Sequence, residues 1–390
     1  MKTILFLEWN SYGNGYMQEA WRESGFDVEC YALHRERMEG KENEQLAVEL
    51  VEQMMSKPYE FVFSFNYFPT VAMACKACQI KYISWVYDSP LIALYSQTIA
   101  FSTNYIFVFD KMVYLSLREQ GAERVFYLPL AAAVKQYDKV QPTTEGVKRY
   151  DADVTFVGSM YTEQKNNMFR HLKGLDEYTR GYLEAVIEGQ KRIYGYNFLE
   201  KVLTEDIMNH VSSVCPISEQ PDGFETKEWT FANYFLARRV TAIERMDILN
   251  LLSEKHKVKL FTKEATPTLP KVENMGEADY YNTMPEILKC GRIQLNITLR
   301  SILSGIPLRA FDIMGCGGFL LTNYQEDFLD YFVPEEDFVY YESYEDLERK
   351  ADFYLEHEDV RQQIAQNGYE KVKENHTYQK RVAEILNVIS

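Results

Sequence analysis

Short apolar runs alternate with stretches of helical periodicity through the first third of the chain. The apolar runs predict β-strands at residues 3–8, 28–33, 61–65, 81–86, 105–109 and 125–128. The stretches between them predict helices that end near residue 24 and that cover residues 42–56, 70–79, 91–101 and 111–120. Strand and helix in alternation are typical of a parallel, doubly wound α/β sheet.

A polar segment separates this series from a second one. Residues 136–151 contain Pro142, Gly146 and several charges, and we interpret them as a linker between a first domain, 1–135, and a second domain, 152–370. A chain of 390 residues is long enough for two such domains.

The second domain repeats the alternation around a helical insertion. Apolar runs predict strands at residues 154–157, 258–261, 293–296, 318–321 and 338–340. Helical periodicity covers about 161–256, with a break at 216–223. Residues 371–390 predict a C-terminal helix that could pack back on the first domain.

The segment 295–323 carries the most chemistry. It reads as a buried strand, a loop with an arginine, a short helix with one carboxylate, a glycine turn and a second apolar strand. This order predicts Arg309, Asp312 and the flexible pair Gly317-Gly318 at the carboxyl edge of a parallel sheet, where α/β folds bind nucleotides. An arginine can pair with a diphosphate and an aspartate can bind a ribose diol, so a sugar nucleotide is the expected ligand.

Three segments resemble a known family. Residues 274–386 are similar to the C-terminal half of the CgeB-like (spore maturation protein) glycosyltransferases, and residues 65–69 and 85–90 are similar to the domain that precedes it. The resemblance implies the GT-B fold, in which two Rossmann-like domains face each other across a cleft. It also implies that the C-terminal half, with its helical insertion, binds the donor, and that the acceptor is a bacterial spore-coat or surface glycan.

The predicted donor-binding residues follow the strands of the second domain. They are Gly158, Ser159, Asn296, Thr298, Arg300, Ser304, Pro307, Leu308, Arg309, Asp312, Gly317 and Gly318. By resemblance, Asp312 stands where retaining GT-B enzymes carry a ribose-binding Glu, and Ser304 replaces their sugar-contacting Glu. Some of these residues have a structural alternative: a surface salt bridge for Arg309, a favourable helix-dipole contact for Asp312, a strand-ending turn for Gly158 and Ser159, and capping of the following turn for Asn296 and Thr298.

The predicted acceptor side lies in the first domain. Its expected residues, which follow strand ends, are Asn10, Gly13, Asn14, Gly15, Asn66, Tyr67 and Tyr87. Asp88 is the first candidate for the general base that takes the acceptor proton, and His34 is the second. The structural alternative for Asp88 is capping of a helix after Pro90.

Several other types of site are disfavoured. Gln18 stands where a dinucleotide fingerprint needs its third glycine, and strand two ends in Leu33-His34 without an acidic residue. Residues 151–153 resemble a metal-binding DxD motif but precede a strand, at the wrong end of a sheet for the site. Residues 75–78 contain a lone C-x-x-C, which we interpret as buried thiols. We therefore expect no cofactor and no metal.

Charge limits the partners. The net charge is −16 with no basic tract, which disfavours nucleic acid and anionic membranes. No apolar run reaches the length of a membrane span or a signal peptide, so we expect a cytoplasmic protein. The sequence leaves the oligomeric state open.

The function that these observations predict is metal-independent transfer of a sugar from a nucleotide-diphosphate donor to a glycan or glycoprotein. A non-catalytic sugar-nucleotide-binding or assembly protein is the alternative, and Ser304 is its main support. An epimerase or a phosphorylase on the same scaffold is a further possibility.

Overall fold

A computed structural model describes residues 2–38, 40–163, 167–220 and 222–390. The chain forms two compact units. The first contains Met1–Ala133, Gln220–Glu225 and His376–Ser390, and the second contains Val134–Glu219 and Thr226–Asn375.

The first unit is built on a six-stranded parallel sheet with the order β2-β1-β3-β4-β5-β6. Its strands are β1 (Lys2–Glu8), β2 (Phe26–Ala32), β3 (Phe61–Phe65), β4 (Lys81–Val86), β5 (Asn104–Val108) and β6 (Val125–Tyr127). Each predicted strand is confirmed, with its ends shifted by two residues at most.

The helices of this unit confirm four of the five predicted ones. They are α1 (Asn14–Glu23), α2 (Gly40–Met55), α3 (Pro69–Cys78) and α4 (Lys111–Glu119), with a 3₁₀ turn at Arg35–Met38. The prediction of one helix over 91–101 is wrong. Two 3₁₀ helices, Ile92–Tyr95 and Gln97–Ala100, meet at Ser96, which has extended backbone angles and caps the second of them.

Central strands of this sheet are apolar because both faces are covered. All five residues of β3 are buried. The rings of Phe61 and Phe63 contact Trp21 of α1, with centroids 5.1 and 5.7 Å apart. A strand buried on both faces appears in the sequence as a continuous apolar run, which is why the pattern located it well.

The second unit contains another six-stranded parallel sheet, with the order β12-β11-β10-β7-β8-β9. Its strands are β7 (Val154–Val157), β8 (Val258–Phe261), β9 (Glu273–Asn274), β10 (Ile293–Asn296), β11 (Leu320–Asn323) and β12 (Val339–Tyr341). The two-residue β9 was not predicted, and β11 begins two residues later than expected.

The helices of the second unit include the predicted insertion. They are α5 (Val134–Tyr137), α6 (Thr144–Tyr150), α7 (Glu177–Lys191), α8 (Glu205–Val214), α9 (Lys227–Thr230), α10 (Ala237–Ser253), α11 (Met284–Cys290), α12 (Leu308–Gly315), α13 (Tyr344–Glu356) and α14 (Glu358–Asn375). Met168–Leu172 and Glu326–Asp330 are 3₁₀ helices, and Phe231–Leu236 is a π-helix. Residues 164–166 and 221, which fall within the predicted insertion and its break, lie outside the described residues.

The predicted linker is not an irregular segment. It contains α6 and the last residues of α5, and Thr143 caps α6 by accepting a hydrogen bond from the backbone N–H of Gly146 at 2.9 Å. Its polar composition reflects exposed helix faces and caps.

The last helix, α15 (Tyr378–Ile389), belongs to the first unit. Arg381 of α15 is 2% exposed, and its Nε donates to the carbonyl of Pro129 at 2.8 Å. No helix in the described part of the chain is long and apolar enough to span a membrane.

Candidate functional site

Each sheet has one topological switch point. In the first sheet, β2 lies on one side of β1 and β3 lies on the other, so the switch point is between β1 and β3. In the second sheet, β8 lies on one side of β7 and β10 lies on the other, so the switch point is between β7 and β10. Ligands of open α/β sheets bind at the carboxyl ends of the strands at such points. We call these two places the β1–β3 edge and the β7–β10 edge.

Arg309 lies at the β7–β10 edge, in the first turn of α12. Its Nε donates to the carbonyl of Val157, the last residue of β7, at 3.2 Å. Its Nη1 donates to Asp312 Oδ2 at 2.9 Å and contacts the sulfur of Met284. The side chain is 24% exposed, so an oriented guanidinium faces solvent beside the loop that follows β7.

Asp312 is fully buried. Its Oδ1 accepts hydrogen bonds from the hydroxyls of Tyr137 at 2.7 Å and Tyr280 at 3.2 Å, while Arg309 holds the other oxygen. Burial raises the pKa of Asp312, and Arg309 and the two hydroxyls oppose that rise. In this arrangement the carboxylate orients Arg309 and offers no open oxygen to a ribose.

The end of β10 carries a buried polar network. Asn296 Nδ2 donates to the hydroxyls of Thr298 at 3.0 Å and Thr322 at 2.9 Å, and the Thr298 N–H donates to Asn323 Oδ1 at 2.8 Å. These residues are 4% exposed or less. Asn296 and Thr298 therefore fix the strand end in this structure.

The loop after β7 contains Gly158 and Ser159, which are both partly exposed. The Gly158 N–H donates to the carbonyl of Phe261 at 3.1 Å. Ser159 Oγ accepts from the Tyr161 N–H at 2.9 Å and donates to Glu163 Oε1 at 2.5 Å. The loop thus lies beside Arg309, and its Ser159 hydroxyl already binds one carboxylate.

Arg300 is not available to a phosphate. It is 8% exposed, its Nη2 pairs with Glu244 at 2.8 Å and its Nη1 donates to the carbonyl of Ile193 at 3.1 Å. Its guanidinium also lies 4.2 Å from the ring centroid of Tyr194. The prediction of a phosphate contact is corrected here, because an internal carboxylate pairs with this arginine.

The remaining predicted residues near α12 divide by exposure. Pro307 is the N-cap residue of α12 and is buried, and Ser304 is 2% exposed. Leu308 is partly exposed next to Arg309. Of these three, Leu308 is the one whose side chain a ligand at the edge could touch.

Gly317 and Gly318 lie at the opposite edge of the sheet, which corrects their predicted place in the site. They join α12 to the start of β11, and this connection lies at the amino ends of parallel strands. A Cβ at Gly318 would lie 3.0 Å from both Gln294 Cγ and the carbonyl of Leu288. Tight packing of the turn, and not approach to a ligand, therefore favours glycine at 318.

The β1–β3 edge brings Asn66, Tyr87 and Asp88 together. Asn66 Nδ2 donates to Asp88 Oδ2 at 2.7 Å, and Asn66 Oδ1 accepts from the backbone N–H groups of Tyr87 and Asp88 at 3.1 and 3.2 Å. Asn66 has φ +59°, a conformation that is uncommon for a non-glycine residue and is often found at functional sites. Asp88 is therefore oriented by Asn66 and is partly exposed.

Trp9, which the sequence analysis missed, completes this cluster. Its ring stacks on Tyr87 at 6.1 Å and 17°, and its Nε1 donates to the carbonyl of Phe65 at 2.8 Å. The Tyr12 N–H donates to the Tyr87 hydroxyl at 3.2 Å, and the Tyr12 side chain is 53% exposed. The position of Trp9 directly after β1 was the signal that could have identified it.

The predicted glycine-rich loop after β1 is ordered by internal contacts. Asn14 Nδ2 donates to the Trp9 carbonyl at 2.9 Å. Gly13 has φ +81°, and a Cβ added to it would lie 2.5 Å from the hydroxyl oxygen of Tyr378. Asn10 and Gly15 are exposed. Of the four residues predicted here, these two are exposed enough for a ligand to reach, and the exposed Tyr12 lies between them.

Two predicted acceptor-side residues lie apart from the cluster. Tyr67 is 0% exposed, its hydroxyl pairs with Thr98 Oγ1 at 2.7 Å, and burial raises its pKa. This burial corrects its place in the site. His34 has a 59% exposed side chain and pairs with Glu36 at 3.4 Å.

The acidic residues 151 and 153 precede β7 and form ion pairs. Asp151 pairs with Lys257 at 3.2 Å and Asp153 with Arg292 at 3.0 Å. Among the described residues, no group of three or more His, Cys, Asp or Glu is arranged to hold a metal ion.

Comparison with known proteins agrees with this architecture. Residues 244–387, which include α12 and Arg309, match the family described as Glycosyl transferase-like. No curated protein sequence matches the chain.

Solved structures match the whole chain. Sucrose-phosphate synthase from Thermosynechococcus elongatus aligns with a TM-score of 0.57 at 10% identity, covering 100% of this chain and 98% of that one. Anabaena HepE, solved in complex with UDP and glucose, aligns with a TM-score of 0.56 at 8% identity, covering 100% and 99%. WaaG, a glycosyltransferase involved in lipopolysaccharide biosynthesis, gives 0.51 at 10% identity and 98% of each chain. The chain therefore has the GT-B fold, and the family match over residues 244–387 supports a transferase.

Proposed function

We propose that the chain transfers a sugar from a nucleoside-diphosphate sugar to a glycan or glycoprotein acceptor, without a metal ion. The observation that carries the proposal is Arg309. This arginine is partly exposed, held by Val157 and Asp312, and lies beside Gly158 and Ser159 at the β7–β10 edge.

Arg309 would bind the diphosphate of the donor. A guanidinium held in one orientation pairs well with phosphate oxygens, and the N-terminus of α12 adds a favourable dipole. As the bond to the sugar breaks, negative charge grows on the departing diphosphate, and a cation already in place stabilises that charge. This electrostatic role does not require a metal.

Asp312 would act by positioning Arg309. A contact between its carboxylate and a ribose would require the hydroxyls of Tyr137 and Tyr280 to be displaced. We therefore propose that Asp312 fixes the arginine and that exposed groups of the loop after β7 contact the donor.

Uridine diphosphate is the first donor nucleotide to test, because the similar structure of HepE was solved with UDP and with UDP-glucose. The resemblance to CgeB-like enzymes supports a bacterial spore-coat or surface glycan as the acceptor. The first unit, with Trp9, Tyr87 and Asp88 at the β1–β3 edge, would bind that acceptor, since aromatic rings and carboxylates suit sugars.

Calorimetric titration with a panel of nucleoside diphosphates and their sugars tests the donor site. We expect one nucleotide family to bind, and Arg309→Ala to weaken its binding by about 10- to 100-fold, as expected for a charge-assisted contact. Arg349→Ala is the matched control, because Arg349 is an arginine of the same unit with a 76% exposed side chain. If no nucleotide binds, or if both variants bind equally well, the proposed donor site is wrong.

The general base is tested by nucleotide release with a panel of carbohydrate acceptors. Asp88→Asn should lower kcat about 100-fold or more while donor affinity stays unchanged, because a positioned base typically contributes that much. His34→Gln is the comparison, and we expect little change because His34 pairs with Glu36 outside the cluster. A loss of activity in His34→Gln alone would instead assign the base to His34.

A non-catalytic sugar-nucleotide-binding protein remains the second candidate. Ser304 favours it, because a residue that is 2% exposed replaces the sugar-contacting Glu implied by the resemblance. Tight donor binding without turnover on any acceptor, or with water, would support this candidate.

A further inference from the structure

Arg245 bridges the two strand ends at the β7–β10 edge. It lies in α10 and is 7% exposed. Its Nη1 donates to the carbonyl of Ser159, after β7, and its Nη2 donates to the carbonyl of Ile297, after β10, at 2.5 Å. Its guanidinium also lies 5.0 Å and 4.7 Å from the ring centroids of Phe156 and Tyr161. A cation is thus buried against the loop that follows β7.

Glu244, the residue before Arg245, directs its carboxylate to other side chains. Glu244 Oε1 accepts from Arg300 Nη2 at 2.8 Å and from the Tyr194 hydroxyl at 2.6 Å, and Glu244 Oε2 accepts from Arg300 Nε at 3.1 Å. In the described part of the chain, the hydrogen bonds of Arg245 go to neutral carbonyls, and its buried Nε has no hydrogen-bond partner. A buried charge is costly without a counter-charge, so the edge favours an anion.

Glu163 supplies negative charge at this place. It is 8% exposed, and its Oε1 accepts a hydrogen bond from Ser159 Oγ at 2.5 Å. Burial lowers the pKa of Arg245, and the charges of Glu244 and Glu163 oppose that shift. The chain therefore places its own carboxylate on the loop that we assign to the donor phosphates.

We propose that Glu163 occupies the phosphate position of the donor site and is displaced when the diphosphate binds. This inference rests on the proposed function. A diphosphate carries more negative charge than one carboxylate. It would therefore accept a stronger hydrogen bond from the Ser159 hydroxyl than Glu163 does, and it would be attracted more strongly to the charge of Arg245. Glu163 would then lower donor affinity and exclude weaker anions from the empty site.

The test is calorimetric titration of UDP into the full chain and its variants. Glu163→Gln keeps the size of the side chain and removes its charge, so UDP should bind about fivefold more tightly, because a like charge near the ligand is lost. Glu177→Gln, which changes an exposed carboxylate in the first turn of α7, is the matched control and should bind UDP as the wild type does.

A second variant separates the contact from the fold. Glu163→Asp keeps the charge but shortens the side chain, so its contact with Ser159 is weakened and UDP affinity should rise, though less than in Glu163→Gln. Unchanged or weaker UDP binding in both Glu163 variants would overturn the inference while leaving the donor site in place. If neither the wild type nor any variant binds UDP or another nucleoside diphosphate, the donor site itself is refuted and the inference with it.

Discussion

Replacing Arg309 with alanine removes the cation beside a buried carboxylate. Asp312 is 0% exposed and is held by Arg309 at 2.9 Å, Tyr137 at 2.7 Å and Tyr280 at 3.2 Å. Breaking a buried ion pair from one side costs about 3–5 kcal/mol when both groups are buried. Because Arg309 is 24% exposed and both hydroxyls remain, we expect a smaller loss of about 2 kcal/mol in the free energy of unfolding.

This loss should depend on pH, because Asp312 can take up a proton. Burial already raises the pKa of Asp312 and Arg309 opposes the rise, so Arg309→Ala should raise that pKa further. An acid with a higher pKa in the folded chain than in the unfolded chain binds a proton on folding. Stability then falls as pH rises through the folded-state pKa and recovers below it. The destabilisation should therefore be larger at neutral pH than at about pH 5.

Urea unfolding followed by circular dichroism measures this effect. The chains to compare are the wild type, Arg309→Ala, Asp312→Asn and the double variant. The double variant should be more stable than Arg309→Ala at neutral pH, since it carries no uncompensated buried charge. Arg349→Ala, at an exposed arginine, should cost less than about 0.5 kcal/mol. An equal loss in Arg309→Ala at both pH values, without rescue in the double variant, would show that Asp312 is not left as an uncompensated buried charge.

Three further predictions concern buried groups. Glu244→Gln removes the carboxylate from the buried Arg300, so urea unfolding should show a loss of about 3 kcal/mol, and a loss near zero would contradict the assigned pair. Burial and the adjacent Arg381 lower the pKa of His376 to about 3, so stability should fall as pH drops below the ordinary histidine pKa. The thermal midpoint of His376→Gln should therefore fall less between neutral and acidic pH than the midpoint of the wild type. Gly318→Ala should cost about 1–3 kcal/mol in urea unfolding, because its Cβ would meet neighbouring atoms at 3.0 Å, and an unchanged stability would disprove this crowding.

The sequence predicted the sheets well for a physical reason. Parallel strands covered on both faces must be apolar throughout, and β3, with five buried residues, is found where its apolar run lies. The segment 91–101 was harder, because its apolar residues recur at spacings that suit a helix. Ser96 adopts extended angles there and divides the segment, a local choice that periodicity does not reveal.

The site was predicted only in part. The alternation of strands and helices places Arg309, Ser159, Asn66 and Asp88 at carboxyl edges, and this placement needs only the order of elements. Which arginine stays available depends on partners that are distant in the chain. Arg300 is paired with Glu244, 56 residues earlier, and no spacing rule connects the two.

The buried charges of α10 were missed for a similar reason. In the sequence, Glu244 and Arg245 are two charges within a long helix and could equally lie on its exposed face. The structure places both inside the second unit.

A crystal structure of the chain with the nucleoside diphosphate that titration selects tests the proposed donor site most directly. The proposed donor site predicts the diphosphate within hydrogen-bonding distance of the Arg309 guanidinium and of the loop that contains Gly158 and Ser159, with Glu163 moved away from the Ser159 hydroxyl. A nucleotide bound elsewhere, or a diphosphate that leaves Arg309 without contact, would contradict it.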